Sequence, residues 1–120
     1  MFLWTNYYSK RVNELAIRVL GDKPITGIYK ITNIETQQVY IGQSKQIRER
    51  WREHCKAGLQ IDTPGNNKLY SSMIKYGLEN FTFELMEQCS VDQLNERENY
   101  WIEFYKSCDY GLNGNKGIRR

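Results

Sequence analysis

Histidine is all but absent from this chain: His54 is the only one among 120 residues. Cysteine is scarce too. Cys55, Cys89 and Cys108 are widely spaced and form no CxxC pair. Together these absences exclude a structural zinc site. An odd number of isolated thiols is no disulfide framework either, and reads as buried or idle groups in a reducing cytoplasm. No apolar run approaches the roughly 20 residues that a membrane-spanning helix needs. The first residues, MFLWTNYYSKR, lack the charged start and apolar core of a secretory signal.

What is present supports a folded globule: 40% hydrophobic residues and 13% aromatic, with nine tyrosines. Tyrosine suits places where a half-buried ring must also offer a polar tip. A chain of this length makes one domain and buries roughly two-thirds of its unfolded surface. The net charge of +3 hides an asymmetry. Residues 43–78 hold seven Lys/Arg against three acids, whereas residues 79–109 hold two against eight. The last eleven residues add three positive charges and no acid. A basic middle segment suits a polyanionic partner, although a modest excess of charge also describes an ordinary solvated face.

Periodicity orders the chain. Trp4, Tyr8, Val12, Leu15 and Val19 make a helical stripe over 1–20, stopped by Gly21, Asp22 and Pro24. That helix packs on the core, or serves as an arm for DNA or a second subunit. Residues 25–32 and 38–42 read as strands, and the turn Asn33–Gln37 joins them as an antiparallel hairpin. Residues 45–57 form a charged helix with Ile47, Trp51 and Cys55 inward and Arg50 and His54 on a neighbouring face. A loop over 59–67 turns at Pro64-Gly65. A short helix over 68–76 packs through Leu69, Met73 and Tyr76 and ends at Gly77. Alternation in FTFELM makes 81–86 a third strand. Ser90 and Gln93 form a capping-box signal for a helix over 91–105. The turn-rich YGLNGNKGIRR closes the chain.

Glu98 stands out in that last helix. It falls on the apolar stripe with Leu94, Trp101, Ile102 and Tyr105, where an unpaired carboxylate costs several kcal/mol. A salt bridge, with Arg50 as a candidate, answers this as well as a hard divalent ion does. Arg50 and His54, one turn apart, suit a phosphate: arginine offers a planar fork and histidine a proton donor or acceptor. Tyr29 and Tyr40 are ordinary strand tyrosines on composition, and a phenol of pKa about 10 is a poor base in water, unless a metal ion and an arginine beside it lower that value enough to take a proton from water.

The spacing joins these residues. Gly27-Ile28-Tyr29, ten intervening residues, then Tyr40-Ile41-Gly42, with Arg50, His54, the glutamate of ERENYW and the asparagine of YGLN, resembles the GIY-YIG nuclease family over about 25–115. The similarity is greatest to the catalytic domain of phage-type homing endonucleases. The resemblance implies a small α/β (α+β) fold, a three-stranded antiparallel sheet flanked by helices, here with an extra N-terminal helix over 1–24 and a basic tail over 116–120. It implies hydrolysis of DNA phosphodiesters with one divalent ion, Mg²⁺ or Mn²⁺. By position, Glu98 binds the metal and Tyr29 is the general base. Arg50 neutralises phosphate charge, Tyr40 and His54 position groups or protonate them, and Asn113 holds the hydrogen-bond geometry. The glycine beside each tyrosine would let a DNA backbone come close. The basic segment supplies the expected DNA contacts: Lys45, Arg48, Arg52, Lys56 and Lys68.

The implied partner is double-stranded DNA in a bacterial or phage-infected cytoplasm, with no membrane and no small-molecule cofactor. One active site in a monomer or weak dimer nicks one strand per visit. Homing enzymes of this type carry a linker and a recognition domain after the nuclease core, whereas only Gly114 to Arg120 follow here. Either the chain is a piece of a longer enzyme, or specificity comes from the N-terminal helix, the loop 59–67 and the basic middle. Two alternatives stay open: a structure-specific repair nuclease, and a catalytically inactive DNA-binding module.

Overall fold

The computed structural model describes residues 24–58 and 67–114. The expected helix over 1–20, the loop tip at 59–66 and the tail from 115 onward lie outside the described residues.

The β-branched and aromatic runs form a hairpin of two strands, β1 (Gly27–Asn33) and β2 (Val39–Ser44). Tyr29 stands opposite Gly42, and Ile31 opposite Tyr40. Asn33 organises the turn rather than merely starting it. It is buried, its side-chain oxygen accepts from the backbone N–H groups of Glu35 (2.9 Å) and Thr36 (3.2 Å), and its amide donates to Ser72 Oγ (3.0 Å). Asparagine can replace a backbone partner in this way.

The chain continues through α1 (Ile47–Gly58) and α2 (Lys68–Tyr76). Asn67 caps α2 by accepting from Tyr70 N, and Gly77, at φ 90°, ends it as expected. Strand β3 (Phe81–Gln88) runs two residues past the alternating stretch and pairs with the other side of β1. The sheet is antiparallel throughout, with order β2-β1-β3. Its register against β3 slips between Ile28 and Tyr29, a bulge that re-aims the side chains around it. The Ser90–Gln93 capping box is present, but it starts a 3₁₀ turn, Val91–Gln93, and α3 (Leu94–Tyr105) follows. Lys106, in the left-handed region at φ 52°, breaks the helix. A four-residue helix, α4 (Ser107–Tyr110), comes next, in a stretch to which the sequence assigned no element before the turn-rich segment that starts at Tyr110.

Alternation along β1 sends side chains to two cores. Tyr29 and Ile31 pack with Ile47, Trp51 and Cys55 of α1 and Leu69 and Met73 of α2. Ile28 and Ile41 pack on the other face with Leu94 and Ile102 of α3. Burial pushes the Cys55 thiol up to about 12, so it stays a protonated, inert core group.

The two motif glycines make room for the protein itself, which corrects the expectation of DNA approach. A Cβ on Gly42 would overlap the Tyr29 ring and hydroxyl. A Cβ on Gly27 would overlap the Glu87 carbonyl oxygen in β3. Small residues are needed because a tyrosine crosses one position and a strand backbone presses on the other.

Strand β2 lies at the sheet edge, and the end of the described chain covers it. Leu112 N donates to Val39 O at 2.9 Å. The Asn113 side chain accepts from Ile41 N (2.8 Å) and donates to Ile41 O (2.9 Å), acting as one more strand residue. Ser107 Oγ donates to Asn113 Oδ1 at 2.6 Å and holds the amide in place.

Replacing Asn113 with Ala leaves both backbone groups of Ile41 buried without partners, so Asn113→Ala is expected to lower stability by about 2–3 kcal/mol. Urea unfolding measures this, and a loss within about 0.5 kcal/mol of zero, the usual range for plain surface changes, refutes the edge-cap role.

Candidate active site

Four of the sequence-predicted residues meet on the α1 side of the sheet. Tyr29 reaches across β2 over Gly42, and its hydroxyl lies 2.6 Å from His54 Nε2. Tyr40, the next inward residue of β2, packs against both: its ring lies tilted 6.3 Å from that of Tyr29 and edge-on 5.4 Å from the imidazole. The Trp51 edge packs on Tyr29 at 6.2 Å, and Phe83 of β3 backs Trp51 at 5.3 Å. Tyr29 is fully buried and His54 is 1% exposed, while Tyr40 is half-buried. Arg50 sits one turn before His54 with its side chain 40% exposed.

Burial dominates the electrostatics. It lifts the Tyr29 phenol well above its ordinary range; the nearby Tyr40 adds to this and Arg50 works against it. Burial, with the Arg50 charge behind it, lowers His54 to about 3, so the imidazole is neutral at physiological pH. Burial also works against the charge on Arg50. The Glu53 carboxylate and the surrounding phenols more than offset this, and Arg50 stays a firm cation. Its Nη1 donates to Glu53 Oε1 at 2.7 Å. The carboxylate partner of Arg50 is thus Glu53 and not Glu98, which rules Arg50 out of the salt bridge considered for that residue.

Glu98 rises from α3 on the opposite face, 1% exposed. Its Oε1 accepts from Gln43 Nε2 at 2.9 Å, and the same amide nitrogen donates to Asn95 Oδ1 at 2.8 Å. Strand alternation explains the split. Tyr40 and Gln43 differ by an odd number of residues, so they leave β2 on opposite faces. The cluster around Tyr29 and the Glu98 carboxylate flank the edge strand from its two sides, with Asn113 along its rim. Among the described residues, no group of three or more His, Cys, Asp or Glu side chains is placed to hold a metal ion. A soft, tetrahedral ion thus has no ligand set there. A hard ion such as Mg²⁺ needs only one or two protein carboxylates, with water and substrate phosphate completing its shell, and Glu98 fits that donor chemistry.

The basic residues are scattered. Lys45 is exposed at the entrance to α1. Arg48 and Arg52 lie one turn apart on α1, and Arg52 makes a loose 3.6 Å pair with Glu49. Lys68 donates to the Cys108 carbonyl at 3.0 Å, bracing α2 against the C-terminal segment. The Lys56 side chain lies outside the described residues.

Two neighbours were not expected from the sequence. Tyr70, on α2, places its hydroxyl 2.9 Å from His54 Nδ1. Gln43 holds Glu98. The parity of Gln43 along β2 was legible, but its partner was not. Tyr70 lies off the apolar stripe of α2, and only the packing of two helices brings it to His54.

Known proteins share this arrangement of elements. The GIY-YIG catalytic domain matches residues 25–113. Intron-associated endonuclease 1 of Enterobacteria phage T4 is 34% identical over 90 residues, which cover 73% of this chain and 36% of that protein. The chain thus spans little more than a third of that relative's length. A mutant of the catalytic domain of intron endonuclease I-TevI aligns with TM-score 0.67 at 32% identity, over 74% of this chain and 92% of that one. The catalytic domain of homing endonuclease I-TevI aligns with TM-score 0.64 at 31% identity, over 76% and 99%. With a matched segment that runs from before the first motif strand to Asn113, this chain belongs to the GIY-YIG family.

Proposed function

We propose that this chain is a metal-dependent DNA endonuclease that nicks one strand of a duplex at each visit, of phage or mobile-element type. The observation that carries the reading is the buried tyrosine–histidine cluster with Arg50 at its mouth. A neutral imidazole bonded to a phenol, next to a fixed cation, suits the attack of water on a phosphodiester. The relatives are named as endonucleases, and family membership makes the same chemistry the first expectation here.

Each residue has a role that its surroundings favour. Arg50 leaves Glu53, an exposed partner whose ion pair is worth little, and forks onto non-bridging phosphate oxygens. Tyr29 is shut off from bulk water, so the attacking water arrives with the phosphate. A neutral phenol takes a proton only by passing its own onward, and His54 Nε2 is placed to receive it. Tyr40 packs both rings into that geometry. Glu98 would hold a divalent ion, Mg²⁺ or Mn²⁺; Gln43 holds the carboxylate in place, and Asn95 in turn holds the Gln43 amide. Such an ion, when bound, supplies positive charge to the phosphate group. Asn113 fixes the strand that carries Tyr40. Exposed Lys45 and the α1 arginines Arg48 and Arg52 track the DNA backbone, and a single catalytic domain cuts one strand. Among the described residues, no helix is long and apolar enough to cross a membrane.

Supercoiled plasmid DNA with Mg²⁺ or Mn²⁺ tests this directly. Nicked circles are expected from the wild-type protein. Arg50→Ala and Glu98→Gln, which keeps the size and polarity of the buried side chain, are expected to slow nicking at least about 100-fold with the fold intact by circular dichroism. Wild-type protein that leaves DNA uncut under these conditions refutes the reading. A Glu98→Gln protein that nicks at the wild-type rate refutes the metal assignment.

The neutral His54 also makes stability depend on pH. Its folded pKa, about 3, lies below the ordinary 6.5. Its contribution is present in full above pH 6.5 and is lost as pH falls toward 3, because the unfolded chain then binds a proton that the folded chain does not. The loss reaches at most about 1.4 kcal/mol per pH unit. Urea midpoints between pH 7.5 and 4 are expected to fall more steeply for wild-type protein than for His54→Gln, and equal slopes refute the buried neutral imidazole.

A further inference from the structure

The His54 ring is bonded at both ends. Tyr29 occupies Nε2 at 2.6 Å, and Tyr70 occupies Nδ1 at 2.9 Å, its ring 5.7 Å from the imidazole. The three groups form a line from the interior outward: Tyr29 is fully buried, His54 is 1% exposed and Tyr70 is half-buried. The Tyr70 ring packs against the core that Leu69 and Met73 enter, which leaves its hydroxyl as the part that meets His54.

The direction of the three protons follows from satisfying the buried end. Nε2 is the hydrogen-bond partner of the Tyr29 hydroxyl, and a buried O–H without an acceptor costs about 1–3 kcal/mol. Tyr29 therefore donates and Nε2 accepts. A neutral imidazole then carries its proton on Nδ1 and donates it to Tyr70 Oη. That leaves the Tyr70 proton to point away from His54, toward the open side. Every donor in the row faces outward.

We propose that Tyr70 is the outlet of a proton relay, Tyr29–His54–Tyr70, which carries the proton of the attacking water from the buried site to solvent. The proposal rests on the nuclease reading given above. As the water oxygen bonds to phosphorus, the bond from phosphorus to the leaving sugar oxygen breaks, and that oxygen takes a proton from solvent. The proton lost by the water passes to Tyr29 Oη as Tyr29 gives its own to Nε2. Nδ1 gives its proton to Tyr70 Oη, and Tyr70 releases one to solvent. Each side chain ends with the number of protons it began with. The imidazole ends as the other neutral tautomer and resets after product release, when Nε2 gives its proton through Tyr29 to water in the emptied site and Nδ1 regains one through Tyr70. Tyr70 does not touch the phosphate in this scheme: it acts through His54, as a positioning and relay residue.

Tyr70→Phe keeps the ring and removes the hydroxyl. In single-turnover cleavage the variant is expected to lose at least about tenfold in rate at saturating DNA, with DNA affinity unchanged. A proton inventory in mixed H₂O and D₂O should be curved for wild-type protein and closer to linear for the variant. Because His54 is the only histidine, its ring nitrogens are identifiable by ¹⁵N NMR without mutagenesis. Protonated Nδ1 and bare Nε2 are expected in the wild-type chain, whether or not DNA is cut. A protonated Nε2 overturns the relay direction and the proposal. So does wild-type cleavage by Tyr70→Phe, and so does a rate loss matched by weaker DNA binding, which would make Tyr70 a phosphate contact. Wild-type protein that cuts no DNA removes the nuclease reading itself. Active wild-type protein beside an unimpaired Tyr70→Phe removes only the relay.

Discussion

The hydrogen bond between the Tyr29 hydroxyl and His54 Nε2 ties the hairpin to α1, and much of the rest is arranged around it. It lies where water does not reach, so its strength is not diluted by solvent and breaking it would strand two polar groups. The Tyr29 ring must cross β2 to make it, which is why Gly42 has no side chain. Trp51 and Phe83 fill the space behind the ring. The same burial keeps the imidazole neutral beside a permanent cation. The proposed chemistry uses this pair to move a proton.

Strand β2 divides the chemistry. Tyr40 leaves it on one side toward His54, and Gln43 leaves it on the other toward Glu98. The proposed reaction asks both sides of one edge strand to serve the same phosphate. An edge strand with a free rim would be poorly suited to that, since its backbone groups are open to exchange and fraying. Leu112 and Asn113 remove this weakness by bonding Val39 and Ile41 along the outer edge. The asparagine that ends the matched family segment thus acts on the framework, through strand backbone.

Local patterns were legible wherever one element satisfied its own needs. The hairpin, the short helix ending at Gly77 and the alternating third strand all followed from period and punctuation. Boundaries moved where tertiary contacts extended or cut an element: β3 outran its alternation because β1 pairs with it as far as Gln88. The small helix Ser107–Tyr110 was missed because four residues are too few to show a period and the neighbour before it, Lys106, adopts a left-handed conformation. The glycines were found but misread, since their neighbours come from other strands.

By itself, the sequence determined which residue types were available and at what intervals: two strand tyrosines beside glycines, an arginine and a histidine one helical turn apart, a glutamate on an apolar stripe. Those intervals were enough to suggest the family. Only the tertiary structure decided who meets whom. It paired Arg50 with Glu53, gave Glu98 to Gln43, set that carboxylate across the sheet from the tyrosines and brought Tyr70 to the far side of His54. The physical reason is that periodicity sets which face a side chain leaves from, whereas its partner depends on how separate elements pack, and no local pattern records that.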